Sequence, residues 1–397
     1  MKIKKENSFL VGIGGGATII LVVPLIANAA GINAAFYYPV LSAFLLFFFV
    51  SLSFARIHLS ALKLALLAYI STWGMVGVVY SGVESLSRTV LLLCSFSPLL
   101  FIKSEKIHSF LDKKKLERLY DNVIIVICAF SIYQWVANGT GLPFSSDFFE
   151  QRGRGDGWAR QVSSVFSEPA FLSIFLLSFS YYNLFCRSSQ RFLIDILIFA
   201  AAFLSKSLGA LVFVLLIYSL RLLSYKRGGS GLRMLLVIAV FMFFVIVNAD
   251  TIFYVFSRLE NEVFSNFHLI GGKINIFETG SGAIRLINEI NVSIYTIEKA
   301  PAFGFGPGYT EKDLERNVAL NAIVEILVRY GFVGLFLFAG VLIQEKIKYP
   351  ARSNIVFCIF VVCVCFVDGA IAKPYIWINL SLILAVERST YLFERMS

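Results

Sequence analysis

Apolar residues gather along this chain in runs near 9–27, 36–54, 61–80, 87–102, 120–137, 163–185, 192–205, 207–223, 234–252, 319–342, 354–372 and 375–387, with polar segments between them. A helix rising about 1.5 Å per residue needs about 20 apolar residues to cross a hydrocarbon core about 30 Å thick. The pattern therefore predicts an all-α polytopic membrane protein. It has about 12 transmembrane helices in a single integral membrane unit over residues 1–397, with two long loops on one side at 138–162 and 253–318. In the larger loop, Phe256, Leu259, Val263, Phe267 and Ile270 recur at three-to-four spacing opposite Arg258, Glu260, Asn261 and Glu262. That spacing predicts an amphipathic helix on the membrane surface. Ile287, Ile290, Ile294 and Ile297 predict a second, packed against the bundle and ended by Pro301 and the turn Gly304–Gly308.

Composition agrees. Of 397 residues, 58% are hydrophobic and only 15% charged, with 40 phenylalanines and a mean hydropathy of +0.79. A soluble domain is about 45–50% apolar and about 25% charged, so a soluble enzyme is excluded on these grounds. The net charge of +10 points to topology and not to nucleic acid. Most of the Lys and Arg lie in short segments between alternate runs, Lys113, Lys114 and Lys115 most densely, as the positive-inside rule requires. Both termini are then cytoplasmic, and the basic Met1–Glu6 leads into a first span.

The six cysteines fall at 94, 128, 186, 358, 363 and 365, five in spans and Cys186 facing the cytoplasm, so disulfides are not expected. Three histidines, His58, His108 and His268, stand apart from the cysteines. No metal-ligand spacing or phosphate-binding loop occurs, and no cofactor is expected.

Ionisable residues inside spans are costly and therefore informative. Lys63 and Asp195 are placed within about a turn of the cytoplasmic ends, where they are expected to reach the interface. Arg88, Glu168, Lys206, Glu325, Arg329, Asp368 and Lys373 cluster at the opposite ends of six helices, and Arg152, Arg154, Arg160 and Arg285 lie in the outer loops. Glu325 and Arg329, four apart, share a helix face and can pair. A ring of charge just below the membrane surface suits a lipid-anchored substrate with an anionic head, and arginine matches phosphate bidentately.

These residues also carry a resemblance. The run Arg160-Gln-Val-Ser-Ser-Val-Phe-Ser-Glu168-Pro169-Ala-Phe-Leu resembles a signature of O-antigen polymerases of the Wzy type, and FLSKSLGALVF (Phe203–Phe213) resembles the start of the span that follows it. Arg285, EKAPAFGFGPGY (Glu298–Tyr309), Asn321-Ala-Ile-Val-Glu325 and RYGFVGL (Arg329–Leu335) resemble the O-antigen ligase/polymerase superfamily. The similarity runs in order over roughly residues 120–345; each motif is short, and it is their succession that is specific.

The resemblance implies an inverting glycosyltransferase of the bacterial cell inner membrane, acting at the periplasmic face without metal or nucleotide sugar. Its partners would be an undecaprenyl-diphosphate-linked oligosaccharide, the lipid bilayer and a chain-length regulator protein. Arg160 and Arg285 match arginines that would hold the diphosphate, and Glu168 would serve as base or acceptor-positioning group, with Glu325 as second choice. Arg152, Arg154, Lys206, Tyr309, Asn321 and Arg329 are the expected substrate-binding residues. Ligases carry a histidine immediately before the asparagine matching Asn321; this chain has Leu320 there, which favours a polymerase over an O-antigen ligase. A lipid-linked oligosaccharide flippase is the alternative of another class, for which central polar residues and short outer loops would be expected.

Overall fold

The computed structural model describes residues 59–101, 113–142, 157–164, 166, 169–187, 191–224, 282–308, 321–347 and 354–367, together with 376, 377, 380, 381, 383 and 384. Among the described residues the chain is helical, with no strand. The helices are α1 (Ala61–Ser81), α2 (Val83–Phe101), α3 (Lys113–Thr140), α4 (Pro169–Tyr181), α5 (Phe192–Leu204), α6 (Leu208–Ser224), α7 (Gly282–Lys299), α8 (Ala322–Ile347) and α9 (Asn354–Val367). Among the described residues, three stretches are long and apolar enough to cross a membrane: Ala61–Val79, Tyr120–Thr140 and Ala322–Lys346. Shorter apolar helices pack among them. The predicted runs at 9–27, 36–54 and 234–252 and the amphipathic helix at 256–270 lie outside the described residues.

α4 is the centre of the bundle. Its residues are buried on every side from Phe171 to Leu184, which a helix achieves only when it is apolar all round. The serines within it do not disturb this, because Ser173, Ser178 and Ser180 return their hydroxyl protons to Pro169 O, Ile174 O and Leu176 O one turn back. α5, α6 and α9 pack around α4, α3 packs on α5, and α8 bridges α9 to the α1–α2 pair. α4 ends in a single π-helical turn, Tyr182–Cys186. α3 starts at Lys113, two turns earlier than its apolar run, so the basic residues expected in a loop are helical.

The ends of helices predicted to be cytoplasmic carry buried ion pairs. Lys63 and Asp195 turn inward instead of reaching the interface. Lys63 Nζ lies 2.8 Å from Glu345 Oε1 and donates to Leu99 O. Asp195 accepts from Asn183 Nδ2 at 2.6 Å and from the Tyr218 hydroxyl. Asp121 takes Arg187 Nη2 at 2.9 Å and Arg191 Nη1 at 2.9 Å. Each carboxylate has found an intramolecular donor, which costs less than leaving a charge unpaired in an apolar bundle. Cys186, expected to face the cytoplasm, is buried at the end of the π turn, and all six cysteines are free thiols.

α8 is not continuous. At Gly331 the backbone takes φ 62° and ψ −165°, a region open essentially to glycine alone. Such a break frees carbonyls and N–H groups that no lipid can satisfy. The turn following α7 supplies partners for four of them. Phe305 N donates to Val328 O (2.7 Å) and Gly306 N to Arg329 O (3.0 Å); Phe332 N and Val333 N donate to Pro301 O and Ala302 O (2.9 and 3.0 Å). From α1, the Tyr69 hydroxyl donates to Tyr330 O at 2.6 Å and Trp73 Nε1 to Arg329 O at 3.0 Å. The approach is so close that a Cβ on Gly304 would meet Val328 O at 2.6 Å.

Candidate functional site

Those of the residues proposed from the sequence that the structure describes fall into two polar groups. The first is built where α7 meets the start of α8. Asn321 caps α8: its Oδ1 accepts from Val324 N at 2.9 Å, satisfying one of the helix's orphan donors. The other side of Asn321 is held by Glu289 of α7, whose Oε1 accepts Asn321 N at 2.7 Å and whose Oε2 accepts Asn321 Nδ2 at 2.8 Å. Glu325 follows in the first turn of α8, where the helix dipole favours a carboxylate. Its Oε1 lies 2.6 Å from Arg329 Nη2, the predicted i,i+4 pair. Glu289, Asn321, Glu325 and Arg329 are all buried. Arg285 stands on α7 one turn before Glu289.

The second group lies at the turn between α5 and α6. Lys206 adopts φ 48° and Ser164 φ 57°, both strained for residues with a side chain. The two strained segments are tied together: Val162 N donates to Leu204 O (3.2 Å), and Gln161 Nε2 donates to Lys206 O (3.4 Å). Lys206 Nζ donates to Trp158 O at 3.3 Å, and partial burial lowers its pKa from the ordinary lysine value. Arg160 is half-buried just after the 3₁₀ turn Gly157–Ala159, its N–H donating to Gly157 O at 3.1 Å. Beneath them, the buried Gln134 of α3 accepts from both Ser163 N (3.1 Å) and Ser164 N (2.8 Å) through Oε1. Ser164 Oγ donates to Ile127 O at 2.8 Å, and Ser173 Oγ of α4 meets Ser207 Oγ at 3.1 Å.

Glu168, Arg152, Arg154, Tyr309, Leu320, Asp368 and Lys373 lie outside the described residues. Of the residues proposed for the site, the structure thus joins Asn321 to Glu325 and Arg329 in the first group and sets Arg160 beside Lys206 in the second. The carboxylate of Glu325 is engaged by Arg329, which gives both a part in holding the start of α8.

Two residues escaped sequence reasoning. Glu289 lies off the isoleucine stripe of α7, on the polar face that an amphipathic helix is expected to turn to water. Gln134 is a neutral amide inside an apolar run, where an amide carries a signal similar to that of an ionisable residue. The isoleucine stripe itself is reversed from expectation. Val292 and Thr296 face the bundle, and Ile290, Ile294 and Ile297 are exposed.

Helices of membrane-spanning length, together with shorter apolar helices packed round the buried α4, suit a membrane protein. No family model matches the chain, and no curated protein or solved structure does.

Proposed function

We propose that this protein is an O-antigen polymerase of the Wzy type, joining undecaprenyl-diphosphate-linked oligosaccharide repeat units at the periplasmic face of the bacterial inner membrane. The observation that carries the reading is that the motif stretches pair off in space. The stretch from Arg160 to Pro169 is bonded to Phe203–Phe213 through Val162–Leu204 and Gln161–Lys206. The stretch Glu298–Tyr309 is bonded to Arg329–Leu335 through three backbone hydrogen bonds around Gly331, and to Val328 just before it through a fourth. Motifs that are distant in sequence and mutually bonded have a joint reason to recur together.

In this reading an acceptor sugar hydroxyl attacks the anomeric carbon of the donor glycan, opposite the departing undecaprenyl diphosphate. Glu168 takes the hydroxyl proton as the new glycosidic bond forms. The bond from the anomeric carbon to the diphosphate oxygen breaks, and Arg160 and Arg285 stabilise the charge left on the diphosphate. Lys206, with its ammonium partly desolvated against Trp158 O, adds positive charge near the segment that carries Arg160. Asn321, Glu325 and Arg329 hold the start of α8, and Arg152, Arg154 and Tyr309 line the glycan path.

The test is a gel of surface lipopolysaccharide from a deletion strain, with and without the gene restored. Lipid A-core capped by a single repeat, with the long ladder lost and then recovered, is the expected result. Glu168→Gln should leave protein levels intact and abolish the ladder; a full ladder would remove Glu168 as the base. The broken helix α8 favours a second reading, since transporters build their sites from discontinuous helices. Core with no repeat attached would fit that flippase or a ligase, and polymer accumulating on the lipid carrier would single out the ligase.

A further inference from the structure

We infer that the C-terminal half of α7 dips into the bilayer beside α8, with Ile290, Ile294 and Ile297 against lipid acyl chains. The contacts fix its course. Glu289 meets Asn321, at the start of α8. Val292 packs with Val324 and Val328, one to two turns further on. Pro301 and Ala302 reach Phe332 and Val333, beyond the break. α7 therefore runs alongside α8 in the same direction, descending as α8 descends.

The depth follows from helix geometry. The apolar stretch Ala322–Lys346 has 25 residues, about 36 Å with its two halves in line and less with a bend at Gly331, against a hydrocarbon core of about 30 Å. Gly331 lies about 14 Å from the start of that stretch. Even if the whole excess protruded at this end, the break and the turn clipped to it would lie about 8 Å inside the hydrocarbon.

The side chains of α7 divide accordingly. Glu289 (6% exposed), Val292 (8%) and Thr296 (0%) face α8, and Ile290 (42%), Ile294 (50%) and Ile297 (46%) face away. Tyr295 stacks on Phe305 at 5.4 Å and Phe303 packs on Trp73 at 5.5 Å. The apolar face of α7 is thereby continuous with α1, a helix of spanning length whose Met75 and Val79 are exposed. Glu298 and Lys299 are also exposed. A helical side chain tilts toward the helix N-terminus, so these two lean back up toward the headgroups, within the reach of a snorkelling chain.

The experiment uses the full-length protein in lipid nanodiscs, with a nitroxide attached to p-acetylphenylalanine introduced in turn at positions 290, 294 and 297, leaving the native cysteines untouched. Relaxation by oxygen, which partitions into lipid, is compared with relaxation by a water-soluble nickel chelate. Oxygen should dominate, with the ratio rising from 290 through 294 to 297 as the helix descends. Nickel dominating at two or more positions would put this face in water and overturn the inference. Equal ratios at all three would overturn the descent. Exclusion of both colliders with dipolar broadening between labels would show a second copy on this face and overturn the lipid assignment. Each position is exposed, so a label that unfolds the protein at one leaves the others to decide.

Discussion

Gly331→Ala tests the locked break in α8. The Cβ it adds would fall 2.3 Å from Ala302 O and 2.5 Å from Phe303 N. Reaching an ordinary contact requires the turn to retreat by about 1 Å. That retreat breaks Phe332 N–Pro301 O and Val333 N–Ala302 O, each contributing about 0.5–1.5 kcal/mol. Holding alanine at φ 62° and ψ −165° adds about 1–3 kcal/mol, giving about 2–6 kcal/mol in all. The chain cannot avoid the cost by leaving the groups open, because an unsatisfied buried N–H loses a similar amount. Gly340→Ala in the same helix is the control. Its Cβ would meet only the end of the Leu62 side chain, at 3.1 Å, and helical glycine gains up to about 1 kcal/mol on becoming alanine. Unfolding by SDS titration, followed by circular dichroism, should separate the two variants by several kcal/mol, and under the proposed function only Gly331→Ala should shorten the lipopolysaccharide ladder. Equal stability of the two would refute the claim that the turn is locked against the break.

Three further predictions follow the buried polar groups. Glu289→Gln should destabilise by about 1–3 kcal/mol in the same titration, since an amide NH2 would face Asn321 Nδ2 or its N–H; adding Asn321→Asp restores a donor–acceptor match and should recover much of the loss. Gln134→Ala leaves Ser163 N and Ser164 N buried without their acceptor and should cost about 1–3 kcal/mol for each, whereas Gln134→Glu keeps an acceptor oxygen and should be milder in both stability and ladder length. Lys63→Met strands the Glu345 carboxylate and should cost about 3–5 kcal/mol, most of it recovered in Lys63→Met/Glu345→Leu, as a double-mutant cycle would read directly.

The helices were legible because bilayer-scale apolar runs are written in composition and length alone. The runs at 61–80, 87–102, 120–137, 192–205 and 207–223 fall on α1, α2, α3, α5 and α6, and the pairing of Glu325 with Arg329 needs only the four-residue repeat of a helix. The run at 319–342 covers most of α8, but Gly331 within it gave no warning of a break. Glycine is common in membrane helices for close packing, and only the arrival of residues 301–306 distinguishes a break from a packing site. The partners of Lys63 and Asp195 were equally unreadable. Glu345 lies far from Lys63 in sequence, and Tyr218 and Asn183 reach Asp195 only because α4, α5 and α6 pack together.

Two kinds of information are thus separated in this chain. Periodicity, charge and run length determined that it is helical, where most of its helices fall and which face of α7 is apolar, because each depends on residues within a few turns of one another. Tertiary structure decided that the apolar face of α7 turns outward, that Glu289 grips Asn321, and that the glycine turn completes the hydrogen bonds of a severed α8. Each of those outcomes is a competition for a buried partner, and the partner stands tens to hundreds of residues away.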